Sequence, residues 1–306
     1  MSPVPLDGLD GRNPLAYFAA LGCLSAVSRM LPERDVQLSW RPGPLPRPVL
    51  HGDGLDPDEV VRLLDRDRVV WHGAAALTFD GLSDVKLDAD QQRRYLEACR
   101  NAPDQGRSAA LAAALVAEGA FASTSGGGKP TDLHFTAGNQ KFLVIARHLQ
   151  QHVTEADLRE AAFGPWRYGR SLPTFGWDLS DDRVYAYGFS DPAKTTKNTV
   201  PGADWLALVG LSAFPVRRAA NRAIPPGASG TWKVGLFRWG VWEVPLTWGA
   251  ARALIRVGFE ARQAAAIHAG VFRIYSSRIR RSDQGGYGSF SPSSVEWDAS
   301  VAGPPQ

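Results

Sequence analysis

Basic residues are concentrated late in the sequence. Residues 216–283 contain twelve Arg or Lys against Glu243, Glu260 and Asp283, a formal charge of +9, whereas the 306-residue chain carries +3 and its remainder therefore −6. Arginine binds phosphate through paired hydrogen bonds, and the interleaved Trp and Tyr can stack on bases. This asymmetry favours a polyanionic partner for the C-terminal part. The alternative is that these arginines are solvated or pair with the acidic remainder.

The predicted phosphate contacts come from three parts of the sequence. The C-terminal set comprises Arg217, Arg218, Arg222, Lys233, Arg238, Arg273, Arg278, Arg280 and Arg281. Lys194 and Lys197 lie in Asp191–Pro201, a polar stretch without apolar periodicity that predicts a solvated loop near the entry of a duplex. Lys141 follows Thr136–Gln140, a predicted strand-to-helix turn whose free amides would bind an anion. The alternative there is an ordinary capped helix start.

Three carboxylates are close enough in sequence to suggest metal chemistry. Asp178, Asp181 and Asp182 could hold magnesium, since two-metal nucleases use paired carboxylates. The stretch 175–187 is, however, predicted as a hairpin, and Asp is favoured in turns because it bonds its own backbone. A metal-dependent nuclease is therefore the alternative to a non-catalytic binder.

Other catalytic motifs are not found. His148 and His152 have the spacing of two ligands on a helix face, but no Glu completes the HExxH pattern. There is no G-x-S-x-G elbow, and neither cysteine has a nucleophile signature. The glycine run before Lys129 is followed by Pro130, so it is predicted as a flexible loop rather than a phosphate loop. We therefore expect no enzyme activity, no cofactor and no metal.

The elements that position these residues are predicted from capping signals and periodicity. Asn13-Pro14 is a cap followed by a first-turn proline, which predicts a buried helix to about Leu31. Strands are predicted at 36–40, 69–71, 75–79, 85–87 and 271–281, together with a hairpin over 231–248 that turns at Gly240. A helix over Ala250–Glu260, or on to His268, carries Arg252, Arg256 and Arg262 along an exposed side.

These elements predict an α+β protein with mixed sheets. Residues 1–165 would form a helix-rich lobe and residues 166–306 a strand-rich basic lobe, with the alternative of one domain. The N-terminus has no basic start followed by an apolar run, and no apolar stretch reaches the roughly 18 residues of a membrane span. A cytoplasmic protein with no membrane partner is therefore expected.

Four blocks of sequence carry a resemblance to a known family. They are Asn13-Pro14-Leu15 with Ala19-Ala20-Leu21-Gly22, Leu133-His134-Phe135-Thr136-Ala137-Gly138, Trp177-Asp178 with Asp181-Asp182-Arg183 and Tyr185-Ala186, and Gly202-Ala203-Asp204-Trp205-Leu206-Ala207 with Phe214-Pro215. In this order and spacing they resemble the large-subunit proteins of type I-U (also called I-G) CRISPR effector complexes. The blocks cover residues 13–215.

The resemblance implies an RNA-guided surveillance complex in antiviral defence, in which this subunit is not a nuclease. Such a subunit contacts target DNA, guide RNA or both, helps to recognise the short motif beside the target, assists duplex opening and presents DNA to a separate helicase-nuclease. Its protein partners would be a repeated backbone subunit and a guide-end-binding subunit. A third hypothesis is a protein-binding scaffold whose basic face meets an acidic partner and no nucleic acid.

Overall fold

The computed structural model describes residues 2–121, 127–181, 198–259, 270–282 and 286–301. The described helices are α1 Pro14–Met30, α2 Pro57–Val70, α3 Ala75–Thr78, α4 Ala89–Asn101, α5 Arg107–Leu115, α6 Phe142–His152, α7 Glu155–Phe163, α8 Pro201–Gly210 and α9 Trp248–Val257. The described strands are β1 Ser2–Pro5, β2 Gln37–Arg41, β3 Arg47–Gly52, β4 Arg217–Ala219, β5 Arg222–Ile224, β6 Ala228–Gly230, β7 Val234–Trp242, β8 Leu246–Thr247, β9 Val271–Arg281, β10 Gly288–Phe290 and β11 Ser294–Asp298. The predicted α+β class is confirmed.

The described strands form three sheets. One has the order β1-β3-β2-β8, a second has the order β10-β9-β7-β6 with β11 also paired to β9, and β4 pairs with β5. Every strand pair in these sheets is antiparallel, whereas mixed sheets were expected. Short connections such as those between β2 and β3 and between β4 and β5 favour antiparallel pairs, because a parallel pair requires a long crossover.

Helix α1 lies at the centre of the core, as its start signal predicts. The Asn13 side chain accepts a hydrogen bond from the backbone N of Leu15 at 3.0 Å, and Pro14 occupies the first turn. A Cβ atom on Gly22 would lie only 1.9 Å from the carbonyl oxygen of Leu206, so α1 and α8 are in backbone contact. Glycine at this position therefore permits the closest helix packing in the core.

The main cluster of buried side chains extends across residue 165. The ring of Phe18 in α1 lies 5.3 Å from Phe214 and 5.4 Å from Phe237 in β7, measured between centroids. Trp239 also donates its indole hydrogen to the carbonyl of Gly11 at 2.8 Å. The predicted lobes thus share one core, and a boundary near residue 165 stays a prediction. Within the described ranges, no helix is both long enough and apolar enough to span a membrane.

Three of the short predicted strands are wrong. Residues 69–71 lie at the end of α2, residues 75–79 are mostly α3, and residues 85–87 form no strand. In α2, Val60 and Leu64 are buried one turn apart, so the helix is stabilised by packing against the core. Packing of this kind overrides the β-propensity of the valines that follow.

The hairpin predicted over residues 231–248 is also corrected. Strand β7 continues through Gly240, which pairs with Ile274 of β9. A Cβ on Gly240 would lie 2.5 Å from the ring of Phe259, so this glycine makes room for an aromatic ring. From the neighbouring residues alone, a glycine that lets another side chain approach the strand closely cannot be told from a glycine in a turn.

Candidate nucleic-acid interface

The two faces of β9 have different environments. Tyr275 and Ile279 point into the core and are buried. Arg278 and Arg280 alternate with them and therefore lie on the opposite face of the strand. On the neighbouring strand β7, Leu236 pairs with Arg278 and the exposed Val234 pairs with Arg280. The outer side of the five-stranded sheet thus presents guanidinium groups next to apolar side chains.

A groove of about 490 Å³ lies on this outer side. Its lining consists of Leu236, Ser276, Ser277, Arg278, Arg280, Ser291, Pro292, Ser294 and Glu296. Guanidinium and hydroxyl groups are the side chains that most often bond phosphate oxygens. The groove therefore has the chemistry of a phosphate-binding surface and the volume of a small-ligand site.

The charge of the groove is positive. Arg278 is exposed, and its side chain forms no hydrogen bond or ion pair with any residue that the structure describes. Glu296 is the one carboxylate in the lining, and Arg238 neutralises it through a 2.7 Å bond from Nε. Arg278 therefore faces the groove without an ion-pair partner among the residues that the structure describes, and no carboxylate of the lining is left to balance it. An anion is the complementary ligand.

Three of the predicted phosphate contacts are paired within the fold. Arg222 is bound to Asp132, Arg238 to Glu296 and Arg273 to Asp298. In all three pairs both side chains are mostly buried. Removal of either member of such a pair leaves the other charge buried without a partner, which destabilises the protein. The main role of these three arginines is therefore structural.

Arg281 has a structural role as well. Its guanidinium donates to the carbonyl oxygens of Asp132 at 2.6 Å, His134 at 2.9 Å and Trp232 at 3.1 Å. It also lies 3.6 Å from the centroid of the Trp232 ring. Burial lowers the pKa of Arg281 to about 10, which leaves it charged at neutral pH. Its donors are used to hold the chain around residues 132–134 against β9.

The remaining predicted contacts are distributed over other surfaces. Arg217 and Arg218 lie on the β4–β5 hairpin, where Arg217 is exposed and Arg218 donates to the Ala220 carbonyl at 3.0 Å. Lys233 is exposed in the turn before β7. None of these three is among the lining residues of the groove. These three residues therefore lie outside the groove, and their predicted phosphate contacts stay predictions.

The remaining lysines are only partly placed. Lys141 is exposed at the N-cap of α6, where it makes no side-chain cap bond. Residues 133–135, predicted as the end of a strand, form no strand. Lys194 and Lys197 lie outside the described residues, so their predicted contacts stay predictions.

Of the three carboxylates that suggested a nuclease, only the side chain of Asp178 is described by the structure. Asp178 is buried and accepts hydrogen bonds from the Asn13 side chain at 2.9 Å, the Tyr168 hydroxyl at 3.0 Å and the Ser180 backbone at 3.1 Å. The side chain of Asp181, all of Asp182 and the second strand of the predicted hairpin lie outside the described residues, whereas residues 175–178, predicted as its first strand, form no strand. Asp178 itself is therefore a structural acceptor that joins two segments distant in sequence.

The structure describes no metal-binding constellation. Among the residues that it covers, no group of three or more His, Cys, Asp or Glu could hold an ion. His148 and His152 stack with their rings 4.0 Å apart, and a ring nitrogen of His152 bonds the His148 carbonyl at 2.9 Å. Burial and the neighbouring His152 lower the pKa of His148. The pair forms a local contact on α6.

Helix α9 carries a basic surface that was predicted as the exposed side of a helix but not as a phosphate contact. Arg252 lies over the ring of Trp248, 5.7 Å from its centroid, and Arg256 is exposed one turn further on. Neither arginine forms an ion pair with a described carboxylate. The signal was present in the sequence, because Trp and two Arg at intervals of four residues share one side of a helix.

Comparisons with known proteins assign no family. No family model matches the chain, and no curated protein sequence matches it. A function must therefore be argued from the groove and its arginines, together with the charge distribution of the sequence.

Proposed function

We propose that this chain is a non-catalytic nucleic-acid-binding subunit that holds the sugar-phosphate backbone in the groove on the outer side of the five-stranded sheet. One observation carries the proposal. Arg278, whose side chain has no partner among the described residues, lines the groove beside Arg280, and the one acidic lining residue is already neutralised.

The physical argument concerns unbalanced charge. Like charges side by side repel one another, and a guanidinium gains most from an oxyanion with two oxygens that can each accept a hydrogen bond. Phosphodiesters supply such oxygens at regular intervals along a strand. The serine hydroxyls of Ser276 and Ser294, which lie 3.3 Å apart at the groove, add donors that also bind phosphate oxygens. Contacts of this kind carry little sequence information, as expected for a subunit that binds nucleic-acid backbones.

The biological setting follows from the sequence resemblance. We propose a role similar to that of the large subunit of a type I CRISPR surveillance complex, in the cytoplasm, with guide RNA and target DNA as nucleic-acid partners. A repeated backbone subunit, a guide-end-binding subunit and a helicase-nuclease would then be the protein partners. The paired environment of Asp178 supports a non-catalytic role, because three hydrogen bonds already use its oxygens.

Binding of labelled oligonucleotides tests the function. Fluorescence anisotropy would compare the unchanged chain with Arg278→Ala/Arg280→Ala on single-stranded DNA, duplex DNA and RNA. Loss of two charge-assisted contacts should weaken binding at least about tenfold. The matched control is Arg62→Ala/Arg159→Ala, which removes two exposed arginines that are paired with Glu59 and Asp58 elsewhere on the surface. Equal losses for both double variants, or none for either, would refute the groove as the binding site.

A further inference from the structure

Helix α9 carries two arginines that form no ion pair with any carboxylate in the part of the chain that the structure describes. It begins at Trp248 with Thr247 as its N-cap, and Arg252 and Arg256 follow at one-turn intervals. The Nε atom of Arg252 is buried without a hydrogen-bond partner. The side chain of Arg256 is exposed and forms no bond with any part of the chain that the structure describes. Burial and the nearby Arg256 lower the pKa of Arg252.

This arrangement is unfavourable without an anion. Residues four apart on a helix are neighbours, and like charges at this spacing destabilise the helix. Moreover, Arg252 is partly desolvated against Trp248. A phosphate between the two guanidinium groups would relieve the repulsion and supply hydrogen-bond acceptors that the described residues do not provide.

A path connects α9 with the groove. Arg238 bonds Glu296 in the groove lining and also bonds Ser229 of β6 at 3.1 Å. Arg238 and Ser229 then line a second cavity of about 120 Å³, whose opposite wall is Val257 and Gly258 at the end of α9. The second cavity therefore lies between Arg238 and the end of α9. From β9 to β6 this path crosses two strand spacings, roughly 10 Å.

We infer that α9 provides a second backbone contact, so that one nucleic-acid strand lies across the outer side of the sheet from Arg278 to Arg252 and Arg256. This inference rests on the proposed function and adds a prediction of how long a nucleic-acid strand must be to fill the whole site. A very short oligonucleotide fills the groove alone, whereas a longer one reaches α9 as well. An acidic protein segment is the competing occupant of the α9 surface.

A length series tests the inference. Anisotropy with labelled oligothymidylates of about 4 and about 20 nucleotides, lengths that bracket common single-strand site sizes, would compare the unchanged chain, Arg256→Gln, Arg278→Ala and the control Arg62→Gln. Arg256→Gln should weaken binding of the long oligonucleotide about fivefold and leave the short one unchanged. Arg278→Ala should weaken both. The melting temperature of Arg256→Gln should not fall, because the substitution removes a like-charge contact.

The outcomes separate the two proposals. If Arg278→Ala weakens binding while Arg256→Gln changes neither length, the α9 contact is refuted and the proposed function stands. Equal loss on both lengths for Arg256→Gln would contradict a strand that reaches α9 only after crossing the sheet. No loss for either variant refutes both proposals. Poly-glutamate serves as the probe for an acidic protein segment, and a loss of poly-glutamate binding by Arg256→Gln without loss of oligonucleotide binding would assign α9 to an acidic protein instead.

Discussion

Arg238 donates from Nε to the Oε2 atom of Glu296 at 2.7 Å, across 58 residues of sequence. In the proposed function this bond favours anion binding, because it neutralises the carboxylate that would otherwise repel a phosphate. It also positions Arg238 between the groove and the smaller cavity beside α9. Arg238 was predicted as a direct phosphate contact, whereas in the proposed function it would act through Glu296.

Replacement of Glu296 tests this balance. Glu296→Gln removes the negative charge and leaves the Arg238 guanidinium available to a phosphate. We expect affinity for nucleic acid to rise several-fold at low salt and stability to fall by about 1–2 kcal/mol, since a mostly buried arginine loses its charged partner. Anisotropy and urea unfolding measure the two effects. A lower affinity would show that Glu296 does not oppose the ligand.

Arg281 should affect the fold and not the ligand. Arg281→Ala removes hydrogen bonds to three carbonyls and the stacking on Trp232, so we expect a loss of about 3 kcal/mol in the free energy of unfolding. Arg281→Lys should also destabilise, because an ammonium group cannot reproduce the planar fork. Urea unfolding provides the measurement. If either variant folds with wild-type stability and binds nucleic acid more weakly, Arg281 belongs to the interface.

Stability should depend on pH through His134. Its ring is buried and shares a 2.8 Å hydrogen bond with Asp84; burial lowers the pKa of His134, although Asp84 partly opposes the shift. The folded state therefore prefers the neutral ring, and its contribution to stability is complete above the ordinary pKa of about 6.5. As the pH falls below that value the unfolded chain binds a proton first, so stability decreases, by at most about 1.4 kcal/mol per pH unit.

His134→Gln tests this contribution. The variant should be less stable at pH 8 because the bond to Asp84 is altered, but its stability should change less between pH 6.5 and pH 5, values chosen around the ordinary histidine pKa of about 6.5. Chemical unfolding at several pH values measures the slope. An identical slope in both proteins would mean that His134 does not titrate differently in the folded and unfolded states.

Gly22 should tolerate no side chain. A Cβ there would meet the Leu206 carbonyl oxygen at 1.9 Å, and backbone cannot yield as a flexible side chain can. Gly22→Ala should therefore cost about 3 kcal/mol or more. Gly249→Ala in α9 is the matched control, because no atom lies within 4 Å of the added Cβ, and it should be neutral or stabilise by up to about 1 kcal/mol. Thermal unfolding measures the stability of the two variants. Equal stabilities for Gly22→Ala and Gly249→Ala would contradict the direct contact of α1 with α8.

Local sequence signals predicted the elements but not their pairing. The Asn13-Pro14 signal locates the start of α1, and the alternation in residues 271–281 identifies β9. Gly240 was misplaced because a glycine that admits the Phe259 ring looks the same as a glycine in a turn. Distinguishing the two requires knowledge of a neighbour 19 residues away.

The same limit applies to the candidate site. Composition identified the basic residues, and Arg278 and Arg280 do line one groove. It could not show that Asp132 and Asp298 neutralise other arginines, because those carboxylates are 90 and 25 residues from their partners. Such long-range contacts decide which cationic side chains are available to a ligand, and they cannot be inferred from the number of charged residues in a segment.

The salt dependence of binding tests the central claim most directly. The affinity of the unchanged chain for a single-stranded oligonucleotide should fall linearly on a plot of log K against log salt. The slope of Arg278→Ala/Arg280→Ala should be shallower by about 1.4, the value for two phosphate contacts on a single strand. A double variant with the same slope as the unchanged chain would contradict phosphate binding in the groove.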